Sequence, residues 1–180
     1  MTLDPSVPLA CRLLGTLVFL TAAAGKLRHR HELAGVVANY GVLPEPLAAP
    51  AAWTVVALEG LVALSLASGA WLEAGAALAI GLLGLFALAI GINLARGRRE
   101  IDCGCFQSGL RQRLSGALIV RNLLLAIALT PVLVRGGALH EPLQWIDGLA
   151  AGFAAYALYR AFDQLLSLRQ SSAELRKRFV

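Results

Sequence analysis

The chain has 180 residues, of which 58% are hydrophobic and 15% charged, with a formal net charge of +5. An average soluble domain is about 45–50% apolar and about 25% charged, and a small globule cannot bury this much apolar surface, so the composition excludes a disordered chain and a soluble domain. The 16 basic residues stand between apolar runs instead of along one solvated face, so we expect no nucleic-acid binding. Because aromatic residues are few and small residues abundant, helices are favoured over a β-barrel. We therefore predict an all-α integral membrane protein in contact with the lipid bilayer.

The first apolar run covers residues 7–27 and contains Arg12. At 1.5 Å per residue it is long enough for one crossing of the hydrocarbon core. A cleaved signal peptide is the alternative, since alanines occupy positions 22–24. The segment before the run carries Asp4 and Pro5, however, where a signal peptide has positive charge. We therefore predict a membrane span.

The next segment is polar and contains several prolines. It predicts a short interfacial helix over about Glu32–Asn39, followed by a turn with prolines at 44, 46 and 50. Four more apolar segments follow, and the last of them is the most polar because it contains Arg160 and Asp163. The prediction is one domain, residues 1–170, with four to five transmembrane helices and a polar basic tail at 171–180. The predicted spans are residues 7–27, 51–70, 74–95, 114–134 and 145–166.

Basic residues in the loops predict the orientation of a membrane protein, because they favour the cytoplasmic face. The loops after the first and third spans share one face in any orientation. With five spans this face carries 13 basic residues, against Arg12 and Arg135 on the other face, and is predicted to be cytoplasmic. With four spans the counts are 8 and 7, which decide nothing.

The sharpest motif is Cys103-Gly104-Cys105, in a polar loop between the third and fourth spans. Two thiols one residue apart can close a small disulfide ring, and glycine permits the tight backbone that closure requires. Such a disulfide is strained and therefore exchangeable. The surrounding arginines favour a thiolate, whereas Asp102 opposes it. Those arginines are Arg96, Arg98, Arg99, Arg111 and Arg113.

Two alternatives for this loop stay open. One is a pair of small residues without chemistry. The other is a zinc or copper site that includes His29 and His31, which lie on the same predicted face. The arginines oppose a bound cation, and neither ligand pair has the usual zinc spacing. Cys11, near the other end of the first span, is predicted to be a packing residue.

Polar side chains inside the spans form a second group of candidates. Counted at 1.5 Å per residue, Glu59 lies about 12 Å and Arg121 about 10 Å below the face of the cysteine loop, so we predict that they pair. Asn93, Asn122 and Lys26 are predicted near the same face. This layer is either a structural ion pair or a polar pocket that stabilises a thiolate or holds a quinone headgroup.

Several stretches of the sequence resemble a known family. The specific ones are residues 93–98 (Asn-Leu-Ala-Arg-Gly-Arg), 101–106 (Ile-Asp-Cys-Gly-Cys-Phe) and 120–124 (Val-Arg-Asn-Leu-Leu). With residues 23–27 and 40–44 added, the chain resembles MauE, the methylamine utilisation membrane protein related to the DoxX group. The resemblance covers about residues 13–125.

The resemblance implies a multi-pass protein of the bacterial inner membrane that acts with the thioredoxin-like protein MauD. Together they mature the disulfide-rich small subunit of periplasmic methylamine dehydrogenase. Carried over to this sequence, Cys103 and Cys105 are the redox pair, while Arg121 and Asn122 match the motif without an assigned role. The hypothesis is thus a membrane thiol–disulfide oxidoreductase, and the alternative is an assembly chaperone without redox turnover.

The periplasmic client conflicts with the cytoplasmic cysteines that five spans predict. Two explanations remain open. Either the last segment does not cross the membrane, or the thiols relay electrons from the cytoplasm.

Overall fold

The computed structural model describes residues 4–98, 100–101, 113–135 and 142–178. These residues form six α-helices and no β-strand, which confirms the predicted all-α class. The helices are α1 (Ser6–Arg28), α2 (Leu33–Asn39), α3 (Glu45–Ser68), α4 (Leu72–Ala95), α5 (Gly116–Arg135) and α6 (Pro142–Arg178).

Four of these helices are long and apolar enough to cross a membrane, namely α1, α3, α4 and residues Gly116–Val134 of α5. Many of their large side chains are exposed, including those of Leu64, Leu88 and Ile127. Exposed apolar side chains on long helices are suited to contact with lipid. The protein is therefore a multi-pass membrane protein.

The core lies among α1, α3, α4 and α5. Its fully buried members include Leu66, Ala76 and Val132. Gly15 allows α1 to approach its neighbours, since a Cβ atom there would lie 2.7 Å from a methyl carbon of Leu129. This contact agrees with the expectation from the composition that the helices pack closely through small residues.

The start of α3 differs from the prediction. The helix begins at Glu45 instead of residue 51, because Pro46 lies in the first turn, where a missing backbone N–H removes no hydrogen bond. Pro50 lies further inside the same helix. The predicted proline turn is therefore correct for Pro44 and wrong for the two later prolines. The predicted short helix is confirmed as α2, of which Glu32 is the N-cap residue, and its location at the membrane interface stays a prediction.

The turn between α3 and α4 is tight. Gly69 and Trp71 both have a positive φ, of 78° and 52°. The Arg12 side chain of α1 donates hydrogen bonds to the carbonyl oxygens of Leu66 and Ala67 in the last turn of α3. Because these carbonyls have no partner within their own helix, a charge inside the first span has a structural role.

Helix α6 packs closely against α1 and runs parallel to it. Gly148 lies against Leu9, and a Cβ atom at this glycine would be 2.6 Å from Leu9 Cδ2. Four residues later Gly152 lies against Leu13, where a Cβ atom would be 2.9 Å from Leu13 Cβ. The two glycines therefore allow the two helices to approach each other.

Candidate functional site

Helices α1 and α4 end, and helices α3 and α5 begin, at one end of the bundle, which we call the loop end. The opposite end, with the turn between α3 and α4, is the far end. Lys26 is the third residue from the end of α1, Asn93 is the third from the end of α4, and Arg121 is the sixth residue of α5. The structure thus brings these three candidates within two helical turns of the loop end.

Glu59 of α3 forms an ion pair with Lys26 of α1. The Lys26 Nζ atom lies 2.7 Å from Glu59 Oε1 and 2.9 Å from Oε2, and the Glu59 side chain is only 1% exposed. The same ammonium lies 5.8 Å from the centre of the Phe86 ring, within the range of a cation–π interaction. The predicted pairing of Glu59 with Arg121 is therefore wrong.

Arg121 of α5 instead forms an ion pair with Asp163 of α6, through Nη1 and Oδ1. Both side chains are buried, at 7% and 1% exposure. The Tyr159 ring lies one turn earlier on α6, with its centre 5.8 Å from the Arg121 guanidinium carbon. Two buried ion pairs therefore lie in the bundle, one between α1 and α3 and the other between α5 and α6.

The sequence contains a signal that makes Asp163 a candidate for the partner of Arg121, although it does not select it over Glu59. Asp163 interrupts an apolar segment three residues before its predicted end, and a charged residue inside a span usually has a partner. Matched depth alone also suits Glu59, so depth does not discriminate between the two acids. The choice depends on which helices are neighbours, and α6 is the neighbour that supplies the acid.

Tyr40 is a residue of the loop end that sequence reasoning does not single out as a site. It ends α2 and packs against the cluster of Ile90, Leu114 and Leu118 at the junction of α4 and α5. Burial raises the pKa of the Tyr40 phenol to about 12, although the positive charge of Arg121 acts in the opposite direction. The phenol is therefore a neutral group close to the Arg121 guanidinium.

Arginines at the end of α4 connect it to the end of α2. Arg96 Nη1 donates a hydrogen bond to the Gly41 carbonyl oxygen at 3.2 Å. Arg98 lies over the Cα atom of the same glycine, where a Cβ atom would be 2.6 Å from its Nη1. Gly41 has φ 58°, a value that favours glycine. A glycine at this position therefore allows the α2 turn to approach the end of α4.

The two asparagines are buried in the bundle. Asn93 is 0% exposed, and its Nδ2 donates a hydrogen bond to the Ala89 carbonyl oxygen at 3.0 Å. Its Oδ1 has no hydrogen-bond partner among the described residues. Asn122 follows Arg121 and is also buried. An amide oxygen without a donor is costly in such a place, so Asn93 has unused capacity to accept a hydrogen bond.

The candidates Asp102, Cys103 and Cys105 lie outside the described residues. The residues that flank this segment are joined, since the Leu114 N–H donates a hydrogen bond to the Ile101 carbonyl oxygen at 3.2 Å. Next to this bond, Arg113 and Glu100 form an exposed ion pair at 3.6 Å. The two flanks of the segment that contains the cysteines therefore lie next to each other at the loop end.

The two histidines of the metal hypothesis lie between α1 and α2. His29 Nδ1 is 3.0 Å from the Gly25 carbonyl oxygen, and Arg30 Nε is 3.4 Å from His31 Nε2. Within the described part of the chain there is no group of three His, Cys, Asp or Glu residues that could hold a metal ion. A site that combines the histidines with Cys103 and Cys105 is not tested by this, because the cysteines are outside that part.

A narrow crevice between α1, α4 and α5 is apolar and does not admit a water molecule. It is lined by Leu14, Phe19, Leu83, Leu125 and others of the same kind. Cys11 is half-buried and packs against the same apolar core, in agreement with its predicted packing role. The quinone headgroup stays a hypothesis.

The sequence profile of a family described as "Methylamine utilisation protein MauE" matches residues 5–134 of this chain. The chain belongs to the MauE family. The matched region extends from the start of α1 almost to the end of α5, and α6 lies beyond it. The family resemblance read from the cysteine motif and its flanks is therefore confirmed.

Curated relatives extend the similarity over nearly the whole chain, including α6. A MauE protein of Paracoccus denitrificans is 38% identical over 179 residues, which cover 97% of this chain and 96% of the relative. One of Methylorubrum extorquens is 42% identical over 176 residues, with 94% and 92% covered. One of Methylophilus methylotrophus is 33% identical over 181 residues, with 97% and 94% covered. No solved structure matches this chain.

Proposed function

We propose that this member of the MauE family is a thiol–disulfide exchange factor of the bacterial inner membrane that serves methylamine utilisation. Its relatives are named methylamine utilization proteins. In this proposal Cys103 and Cys105 exchange a disulfide with a thioredoxin-like partner of the MauD kind. The exchange supports disulfide formation in a client such as the small subunit of methylamine dehydrogenase.

The observation that carries the proposal is the arrangement at the loop end. The flanks of the cysteine-bearing segment meet at the bond between Ile101 and Leu114. The buried pair of Arg121 and Asp163 lies on the two helices next to this point, less than two turns from the start of α5. Buried charges inside a membrane bundle are costly and mark functional sites by default. The sequence thus attaches two adjacent thiols to a rigid, polar part of the bundle.

The charge that favours a thiolate comes from the flanks and not from the buried pair. Arg121 is paired with Asp163, so the pair carries no net charge. Arg96 and Arg98 are exposed at the end of α4, a few residues before Cys103. Their positive charge lowers the free energy of a nearby thiolate and makes it a better leaving group. We assign the stabilisation of the thiolate to these two arginines and a positioning role to the buried pair.

The exchange transfers two electrons from the dithiol of the partner to the Cys103–Cys105 disulfide, and it needs no third reactant. A thiolate of the reduced partner attacks one sulfur of the Cys103–Cys105 disulfide, whose S–S bond breaks as a mixed disulfide forms. The second thiol of the partner loses its proton and attacks the mixed disulfide. The partner leaves with a disulfide, and both cysteines are then thiols. Reoxidation of the pair requires a two-electron acceptor, for which a membrane quinone is the hypothesis.

The test is to trap the mixed disulfide in cells. In a Cys11→Ser background, Cys103→Ser and Cys105→Ser are introduced singly, and non-reducing gels with mass spectrometry identify any disulfide-linked protein. We expect one single variant to accumulate a mixed disulfide with a thioredoxin-like protein, because its remaining sulfur can bond to the partner but can no longer be released from it by formation of the Cys103–Cys105 disulfide. The double variant is the control and forms none.

Two further measurements separate this function from the alternatives. If the double variant matures methylamine dehydrogenase as well as the wild type does, the protein is an assembly chaperone without redox turnover. A membrane-impermeant thiol reagent applied to intact spheroplasts, before and after reduction, shows whether the cysteines face the periplasm. Labelling only after reduction supports direct exchange with a periplasmic partner.

A further inference from the structure

Helix α6 follows the bundle from the far end towards the loop end, although it is not among the four helices apolar enough to cross a membrane by composition. Gly148 and Gly152 contact the first turns of α1. Further along, the Tyr156 hydroxyl lies 3.4 Å from Thr21 Oγ1. Over this length the partners on α1 advance from Leu9 to Thr21. The two helices therefore extend through the same depth of the membrane.

The ion pair with Arg121 places the next part of α6 at the loop end. Asp163 is buried beside Arg121, which is five residues, or about 7.5 Å, from the start of α5 at Gly116. Arg169 is six residues, or about 9 Å, beyond Asp163. Since α5 and α6 run in opposite directions, Arg169 lies at about the level where α5 begins. Helix α6 continues past that level to Arg178.

We propose that α6 is a fifth transmembrane helix, and that it completes an arginine-rich surface at the loop end that binds anionic phospholipid headgroups. The proposal does not depend on the thiol chemistry, but together with the basic residues of the loops a fifth crossing favours the second explanation given above, in which the thiols relay electrons from the cytoplasm. It concerns α6 and the exposed arginines of the described residues, and it places the C-terminal part of α6 on the same membrane face as the flanks of the cysteine segment. The exposed arginines of this surface are Arg28, Arg30, Arg96, Arg98 and Arg169.

The two ends of the bundle differ in charge. Among the side chains that the structure describes, Asp4, Glu73 and Asp147 are exposed acids at the far end. The basic residue described there, Arg12, donates hydrogen bonds to carbonyl oxygens of α3. Exposed Glu32, Glu45 and Glu100 reduce the charge of the loop end without cancelling it, since five exposed arginines lie there. Among the side chains that are described, the surplus of positive charge therefore lies on one face.

Phospholipid phosphates are the ligands that suit this surface. The arginines lie at or just beyond the helix ends, which is the level of the headgroup layer. A guanidinium group binds phosphate oxygens through two parallel hydrogen bonds, and anionic lipids attract basic residues near the membrane surface. The side chains come from the α1–α2 turn, from the end of α4 and from α6. Only a fifth crossing brings the α6 arginine to the other four.

The first test is the topology of α6 in cells. In a variant whose three native cysteines are serine, single cysteines replace Glu73, Glu100 and Ser172, which are all exposed, and a membrane-impermeant reagent labels them in intact spheroplasts. We expect Glu100→Cys and Ser172→Cys to label alike and Glu73→Cys to label oppositely. If Ser172→Cys labels like Glu73→Cys, α6 does not cross and the proposal is overturned.

The second test measures lipid binding by the purified full chain. Native mass spectrometry follows the titration of the detergent-solubilised protein with phosphatidylglycerol, and with zwitterionic phosphatidylcholine as the reference lipid. We expect Arg28→Gln, Arg30→Gln and Arg169→Gln each to weaken phosphatidylglycerol binding about fivefold and to leave phosphatidylcholine unchanged. The matched controls Glu73→Gln and Asp147→Asn remove charges at the far end and are expected to have no effect.

Equal binding of both lipids by the wild type would overturn the proposal of an anionic-lipid surface. So would a triple arginine variant that binds phosphatidylglycerol as tightly as the wild type. Neither result affects the trapping of mixed disulfides, which tests the thiol exchange separately. Failure of the lipid surface and failure of the redox function are therefore distinguishable.

Discussion

Both carboxylate oxygens of Glu59 lie within 2.9 Å of the Lys26 ammonium, although the two residues are 33 positions apart in the chain. The contact joins the end of α1 to the middle of α3. Because the Glu59 side chain is almost fully buried, its carboxylate has no access to bulk water as a substitute partner. The pair therefore makes the position of α1 relative to α3 depend on two side chains.

Removal of one member of this pair is expected to destabilise the protein more than removal of both. In Glu59→Gln the Lys26 ammonium stays buried without its counter-charge, and we expect a loss of about 3 to 5 kcal/mol. The double variant Lys26→Met with Glu59→Leu is expected to recover most of this loss. Thermal unfolding in detergent measures both, with Glu45→Gln, an exposed acid at the start of α3, as the control. Equal stability of Glu59→Gln and the wild type would contradict the buried pair.

The pair of Arg121 and Asp163 is expected to be needed for the packing of α6. Asp163→Asn leaves a buried guanidinium without its carboxylate, and we expect a lower melting temperature together with faster proteolysis of α6. Asp147→Asn removes an exposed acid from the same helix and serves as the matched control. A double-mutant cycle with Arg121→Met measures the coupling. A coupling near zero would show that the two residues do not stabilise each other.

The close contact of α6 with α1 predicts that a side chain larger than that of glycine at position 152 destabilises the protein. Its Cβ atom in Gly152→Ala would lie 2.9 Å from Leu13 Cβ and 3.0 Å from the Ala10 carbonyl oxygen, so the helices must separate. We expect a loss of about 1 to 3 kcal/mol. Gly84→Ala is the control, because nothing lies within 4 Å of the added methyl group at that position in α4. If the two variants unfold at the same temperature, the two helices are not in contact at Gly152.

The burial of the Tyr40 phenol predicts that this group ionises at a higher pH than an exposed tyrosine. The pKa of Tyr40 is about 12, whereas a tyrosine in the unfolded chain ionises near pH 10. The unfolded chain thus loses this proton first, so the contribution of neutral Tyr40 to stability is complete below about pH 10 and is lost towards pH 12. Absorbance in the tyrosinate band is expected to differ between the wild type and Tyr40→Phe only near pH 12. A difference that appears already near pH 10 would show that Tyr40 is solvated.

The sequence predicts the membrane-spanning helices well because hydropathy is a property of each segment. Residues 74–95 have no charge, and the structure has α4 at Leu72–Ala95. The start of α3 is predicted at residue 51 instead of Glu45, because Pro46 suggests a turn although it is compatible with a first helical turn. The basic and acidic positions inside the spans are also visible in the sequence, and their depth follows from the rise per residue.

The partners of those charges could not be predicted, because depth along a helix does not state which neighbour a side chain faces. Glu59 and Arg121 have similar predicted depths below the loop end, so matched depth favours a pairing that the structure does not contain. The chain by itself determined that this is a helical membrane protein with two adjacent thiols in one polar loop. Only the tertiary structure decided that Lys26 meets Glu59 and that Arg121 meets Asp163, since the rotation and neighbours of each helix depend on the packing of the whole bundle.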